Sequence, residues 1–112
     1  MWFKVDDQMP FHPKVLQAGN KAIGLWMRAG AWCGAQLTDG FVPEDIVVAL
    51  GGNKADTTKL VQSGLWDKAP GGYQFHDWDK YQPSSKKVRE EQAKARERMR
   101  TLRANADKNN PQ

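Results

Sequence analysis

The sequence predicts a mainly helical α+β domain with a small β-hairpin, followed by a long basic helix. Three observations predict it. First, charge and aromatic content change together near residue 80. Residues 1–79 carry seven Lys+Arg against nine Asp+Glu, a net charge of −2, and ten of the eleven aromatics. Residues 80–112 carry ten Lys+Arg against four Asp+Glu, a net charge of +6, and only one aromatic, Tyr81. Second, apolar residues between Asn20 and Ser63 recur at three- and four-residue spacing and are interrupted by glycines that stop helices. Third, Pro70-Gly71-Gly72 separates two short strand-compatible runs. A chain of 112 residues has room for one sizeable core, and its 39% hydrophobic share falls mostly before Lys80.

Trp2–Val5 is short and aromatic, and reads as either an edge strand or an arm packed on the core. His12-Pro13 opens a short helix, because proline is tolerated in the first turn. Gly19 and Asn20 end it and start the next. That next helix buries Ile23, Trp26, Met27 and Ala31 at helical spacing, so it is predicted to be central. Gly24, Gly30 and Gly34 lower its propensity, and the compensation expected is close approach of another helix. Thr38-Asp39-Gly40 is a turn. Pro43-Glu44-Asp45 starts a helix over about 43–50, with Ile46, Val47, Ala49 and Leu50 inward. Asp56-Thr57-Thr58 is read as the cap of a second helix over about 56–63, with Leu60 and Val61 inward. The short Gly-Gly-Asn turn between them has the spacing of a helix-turn-helix. A hairpin follows at once, with Tyr73 and Phe75 on one strand face and Gln74 and His76 on the other. A helix-turn-helix followed by a hairpin is the order of a winged helix, here with a two-stranded wing over residues 1–79.

From Pro83 to about Ala106 there is no glycine and no aromatic. Lys86–Glu90, Lys87–Glu91 and Glu90–Lys94 are opposite charges at i,i+4, which support a helix. Its apolar stripe, Val88, Ala95, Met99 and Leu102, is thin. A basic helical extension is therefore expected over 80–106 and a disordered tail over 107–112.

Several classes are excluded or left without support. No apolar run approaches the ~20 residues of a membrane span, so no membrane partner is expected. The N-terminus lacks the basic and apolar regions of a signal peptide, and Cys33 is the single cysteine, so a reduced, cytoplasmic protein is expected. No phosphate-binding loop, metal cluster or paired nucleophile stands out, so neither enzyme activity, cofactor nor metal is expected. His76-Asp77 resembles an oriented base, but a polar strand residue beside a turn carboxylate accounts for it. His12 is accounted for by the helix start it precedes.

The residues suited to a duplex are more numerous. In a winged helix the second helix of the turn motif enters the major groove. Here it offers Asn53, Lys54, Thr57, Thr58, Lys59 and Gln62, with Ser63 beside them. The wing offers Lys68 and Gln74. The basic helix adds Lys86, Lys87, Arg89, Arg96, Arg100 and Arg103, the arginines at spacings of 7, 4 and 3 sharing one face. Double-stranded DNA is the partner these residues predict. Two other readings stand beside it. The C-terminal helix or an exposed patch around Trp2, Trp78 or Tyr81 would bind a host protein, and the Val88/Ala95/Leu102 stripe would pair two chains as a homodimer, though alanine and Gln92 make a poor seam.

The blocks Trp2-Phe3-Lys4-Val5-Asp6-Asp7, His12-Pro13-Lys14-Val15, Ala22-Ile23-Gly24-Leu25-Trp26, Leu37-Thr38-Asp39-Gly40-Phe41-Val42-Pro43, Ser63-Gly64-Leu65-Trp66 and Phe75-His76-Asp77-Trp78 follow one another along the chain. Together they resemble the N-terminal region of small helix-turn-helix proteins of actinobacterial phages and prophages. The resemblance runs from Trp2 to about Arg100. It implies DNA binding, in replication initiation or transcriptional control. Longer members continue past the basic helix, so the resemblance also implies that a short form is a stand-alone DNA binder or one that targets a host factor.

Overall fold

The computed structural model describes residues 2–108. It is mainly helical, with a small antiparallel sheet and a long C-terminal helix. After a 3-10 turn at Met9–Phe11, the elements in order are α1 (Pro13–Ala18), α2 (Asn20–Gln36), β1 (Phe41–Pro43), α3 (Glu44–Ala49), α4 (Lys54–Gln62), β2 (Trp66–Ala69), β3 (Gly72–Phe75), α5 (Trp78–Tyr81) and α6 (Ser85–Lys108). No helix among the described residues is long and apolar enough to cross a membrane.

The chain divides into two compact units, the first running to Gln82 and the second beginning at Pro83. The predicted boundary after residue 79 falls inside α5. Charge marked where the basic sequence starts, whereas packing continues through Trp78 and Gln82, both buried. The predicted disordered tail over 107–112 is also corrected: Asp107 and Lys108 are helical, and residues 109–112 lie outside the described residues.

In the first unit α2 is the central element, but not on the predicted face: Met27 and Ala31 are exposed and Ile23 and Trp26 half-buried, because small residues rather than the large apolar ones face the core. Its inward face is Ala22, Leu25, Ala29, Gly30, Cys33 and Gly34. Five of these six are small, so neighbours pack close to the helix axis. At Gly30 the close neighbour is not another helix. A Cβ there would clash with the outer edge of the Phe3 ring, so the N-terminal arm is what Gly30 admits. At Gly24 nothing lies within reach of a Cβ, and no packing reason attaches to it. Trp2–Val5 is accordingly an arm and not a strand.

Phe3 stacks on Trp78 at 5.8 Å between ring centroids and meets Trp26 and Phe75 edge-on at 5.3 and 5.9 Å. The arm is also held by a reciprocal pair. The Gln82 amide accepts from the Lys4 backbone N–H (3.0 Å) and donates to the Lys4 carbonyl (2.6 Å). Leu60, Trp66, Val42 and Cys33 are fully enclosed. Trp26 and Trp32 are half-buried, and Trp78, expected among the exposed aromatics, is a core residue.

The sheet has three strands rather than the two of a simple hairpin, in the order β1-β3-β2 and antiparallel throughout. β3 is central. Its Gln74 lies opposite Phe41 on one side and Asp67 on the other. β1 is three residues long and ends in Pro43, which an edge strand tolerates. The hairpin turn is Pro70-Gly71, and Gly71 takes φ +82°, the positive value required after a turn proline. The Gly71 carbonyl accepts from the Glu44 N–H at 3.1 Å, which ties the tip of the hairpin to the start of α3.

In the second unit Ser84 caps α6, its hydroxyl accepting from the Lys87 N–H at 3.1 Å. The helix then runs unbroken through Lys108. At ~1.5 Å per residue it is about 36 Å long.

Candidate nucleic-acid interface

The local sequence fixes where α4 begins. Asn53 is the N-cap: its side chain accepts from the Asp56 N–H at 2.9 Å, and the Asp56 carboxylate accepts from the Asn53 N–H at 3.3 Å. This reciprocal pair satisfies two backbone donors. The helix thus starts two residues earlier than predicted, and Asp56 is the third residue of the capping box rather than the cap. The shift decides which side chains face outward. Asp56, Thr57 and Leu60 are buried. At ~100° per residue, Ala55, Thr58 and Gln62 lie within about 60° of one another, opposite Leu60. Lys54 and Lys59 stand about 70° to either side of that line. All five of these residues are exposed.

Three of the predicted contact residues, Thr57 on the helix, Ser63 at its end and Gln74 on the hairpin, are engaged inside the fold. Thr57 is 3% exposed and its hydroxyl donates to the Lys54 carbonyl at 3.0 Å. Gln74 is half-buried in the central strand, and its amide donates to the Asp39 carbonyl at 2.8 Å, tying the turn before β1 to the sheet. Ser63 is likewise buried, bonded to the Leu60 carbonyl at 3.1 Å. Asn53 is exposed, but its side-chain oxygen is engaged in the cap. Lys68 is exposed on β2. Of the predicted residues in the first unit, Lys54, Thr58, Lys59, Gln62 and Lys68 remain outward-facing. Ala55 joins them, a position that sequence reasoning passed over because alanine carries no polar group.

On α6, Lys86, Lys87, Arg89, Arg96, Arg100 and Arg103 are all exposed. Arg100 pairs with Glu97 at 3.4 Å, a contact between two exposed groups that contributes little. Met99 and Leu102 are also exposed.

The two histidines are accounted for by local structure. His12 caps α1, its Nδ1 accepting from the Lys14 N–H at 3.2 Å. His76 bridges two carboxylates, with Nδ1 3.0 Å from Asp67 and Nε2 3.5 Å from Asp77, and so links β2 to the start of α5. Among the described residues no group of three His, Cys, Asp or Glu is placed to hold a metal ion. Cys33 is enclosed, its thiol donates to the Phe41 carbonyl at 3.5 Å, and burial pushes its pKa up to about 11 against a smaller opposing effect of the Thr38 hydroxyl. A cavity of about 310 Å³ lies between the N-terminal arm and the end of the hairpin, lined in part by Phe3, Trp26, Phe75, Tyr81 and His76. Trp2, Phe11 and Leu16 are exposed at 88%, 84% and 63%.

No known protein family matches the chain, and neither a curated protein nor a solved structure does.

Proposed function

We propose that this chain is a winged-helix protein that binds double-stranded DNA, acting in phage-type replication initiation or transcriptional control in the host cytoplasm. The order α2-β1-α3-α4-β2-β3, with strands arranged β1-β3-β2, is compatible with a winged helix and supports the reading. So does the resemblance to actinobacterial phage proteins. The observation that carries it is the outward face of α4, which has two lysines, the neutral side chains of Ala55, Thr58 and Gln62 between them and no acid. A helix ~10–12 Å across fits a major groove ~12 Å wide. On this reading α4 lies in the groove, Lys68 on the hairpin contacts the backbone, and the cations of α6 add phosphate contacts. The net charge of −2 over residues 1–79 leaves most of the electrostatic attraction to α6.

The test is fluorescence anisotropy of a labelled mixed-sequence duplex with the full chain at ~50 and ~200 mM salt. If about 4–6 cations meet phosphates, log affinity falls against log salt with a slope of about −4 to −5, a loss of about 10²–10³-fold over this range. Replacing Arg89, Arg96, Arg100 and Arg103 together by alanine flattens the slope by about 3–4. Absence of binding at the lower salt overturns the proposal.

A second reading is favoured by the exposed Trp2, Phe11 and Leu16: a module that binds and modulates a host protein through the arm and α1. It predicts that the partner is lost with Trp2→Ala and Phe11→Ala, and kept with Lys54→Ala and Lys59→Ala.

A further inference from the structure

The chemistry of the α4 face also restricts the sequence it can read. In the major groove, guanine is best met by a bidentate arginine or lysine, cytosine by a carboxylate, adenine by the amide of Asn or Gln, and thymine through its methyl group. The central line of the face is Ala55, Thr58 and Gln62. It holds neither a cation nor a carboxylate. Asp56, the only acid in α4, is buried and bonded to the Asn53 backbone. The two lysines stand off the central line, one on each side, where the two phosphate backbones border the groove. Ala55 to Gln62 spans seven residues, a rise of about 10 Å, or roughly three base-pair steps.

We propose that the α4 face reads an A·T-rich site in duplex DNA. Gln62 pairs with N6 and N7 of an adenine, the methyls of Ala55 and Thr58 meet thymine methyls, and Lys54 and Lys59 hold the flanking phosphates. This rests on the DNA-binding reading above.

The test is selection of the full chain against a duplex library with a randomised core, followed by anisotropy on the enriched duplex. The expected result is an enriched motif with at least three successive A·T pairs. Replacing its thymines by deoxyuridine, which removes only the methyls, weakens binding about fivefold or more. Gln62→Ala loses the preference for adenine at one position, about tenfold. Three results overturn the inference while leaving DNA binding intact: a G·C motif, binding with no enrichment, or a Gln62→Ala motif identical to the parent's. Failure to bind any duplex at low salt overturns the DNA-binding reading and this inference with it.

Discussion

The seat of Phe3 on Gly30 makes a prediction that separates packing from helix propensity. In an unobstructed helix interior, glycine to alanine stabilises by about 1 kcal/mol. Gly30 lies mid-helix in α2, so propensity alone predicts that Gly30→Ala stabilises. The Phe3 ring occupies the space the new methyl needs. Either the ring leaves or α2 shifts. Phe3 is half-buried and has three aromatic neighbours. Full truncation of an enclosed phenylalanine costs about 3–5 kcal/mol, so losing this one costs about 2–3. Gly30→Ala should therefore destabilise by about 1–2 kcal/mol net. In a Phe3→Ala background the obstruction is gone, and the same substitution should stabilise by up to about 1 kcal/mol. The coupling in a double-mutant cycle is then about 2–3 kcal/mol. Urea unfolding followed by tryptophan fluorescence and far-UV circular dichroism measures all four proteins. A stabilising Gly30→Ala in the parent, with coupling near zero, would refute the seating of Phe3 on α2.

Two further predictions concern the same unit. Gln82→Ala leaves both the N–H and the carbonyl of Lys4 without their partner, and at ~0.5–1.5 kcal/mol per bond the loss in urea unfolding is about 1–3 kcal/mol; a change below about 0.3 kcal/mol would show that the clasp contributes nothing. Cys33 is held protonated by burial, with its pKa raised from 9.0 to about 11. The folded state therefore keeps a proton that the unfolded chain releases at high pH. This contribution is complete below pH 9 and is lost as pH rises from about 9 to 11, by about 2–3 kcal/mol in all. Denaturation measured against pH should show that decline in the parent and not in Cys33→Ala, and a thiol reagent at pH 8 should label Cys33 only once the chain is unfolded.

The helices were legible in the sequence because their ends carry local signals. Pro13, Pro43 and Gly19 act within a few residues of themselves, as do the Gly-Gly-Asn and Pro70-Gly71 turns. What was not legible depends on residues far apart in the chain. β1 has three residues, too few for an alternating pattern, and exists because β3 runs beside it. The Lys4–Gln82 clasp spans 78 positions, and neither residue type announces it. It also explains why the compact unit outruns the change in charge.

The candidate site was legible to the same degree. Lys54, Thr58, Lys59 and Gln62 are polar residues on a helix whose inward side is marked by Leu60. Thr57 and Gln74 have the same polar chemistry but are spent inside the fold, on a hydroxyl-to-carbonyl bond within α4 and an amide-to-turn bond across 35 residues. Taking Asp56 as the cap obscured the phase of the helix. Once Asn53 is the cap, the two lysines flank a central line of small or neutral side chains, a pattern that identity alone does not reveal.

The central claim is that the outward face of α4 meets duplex DNA. The most direct measurement is a backbone amide NMR titration of the full chain with a short duplex at low salt. The account predicts that the largest shifts fall on residues 54–62, with smaller ones at the β2–β3 hairpin and along α6. Largest shifts at the N-terminal arm and α1, or no shifts at all, would contradict it.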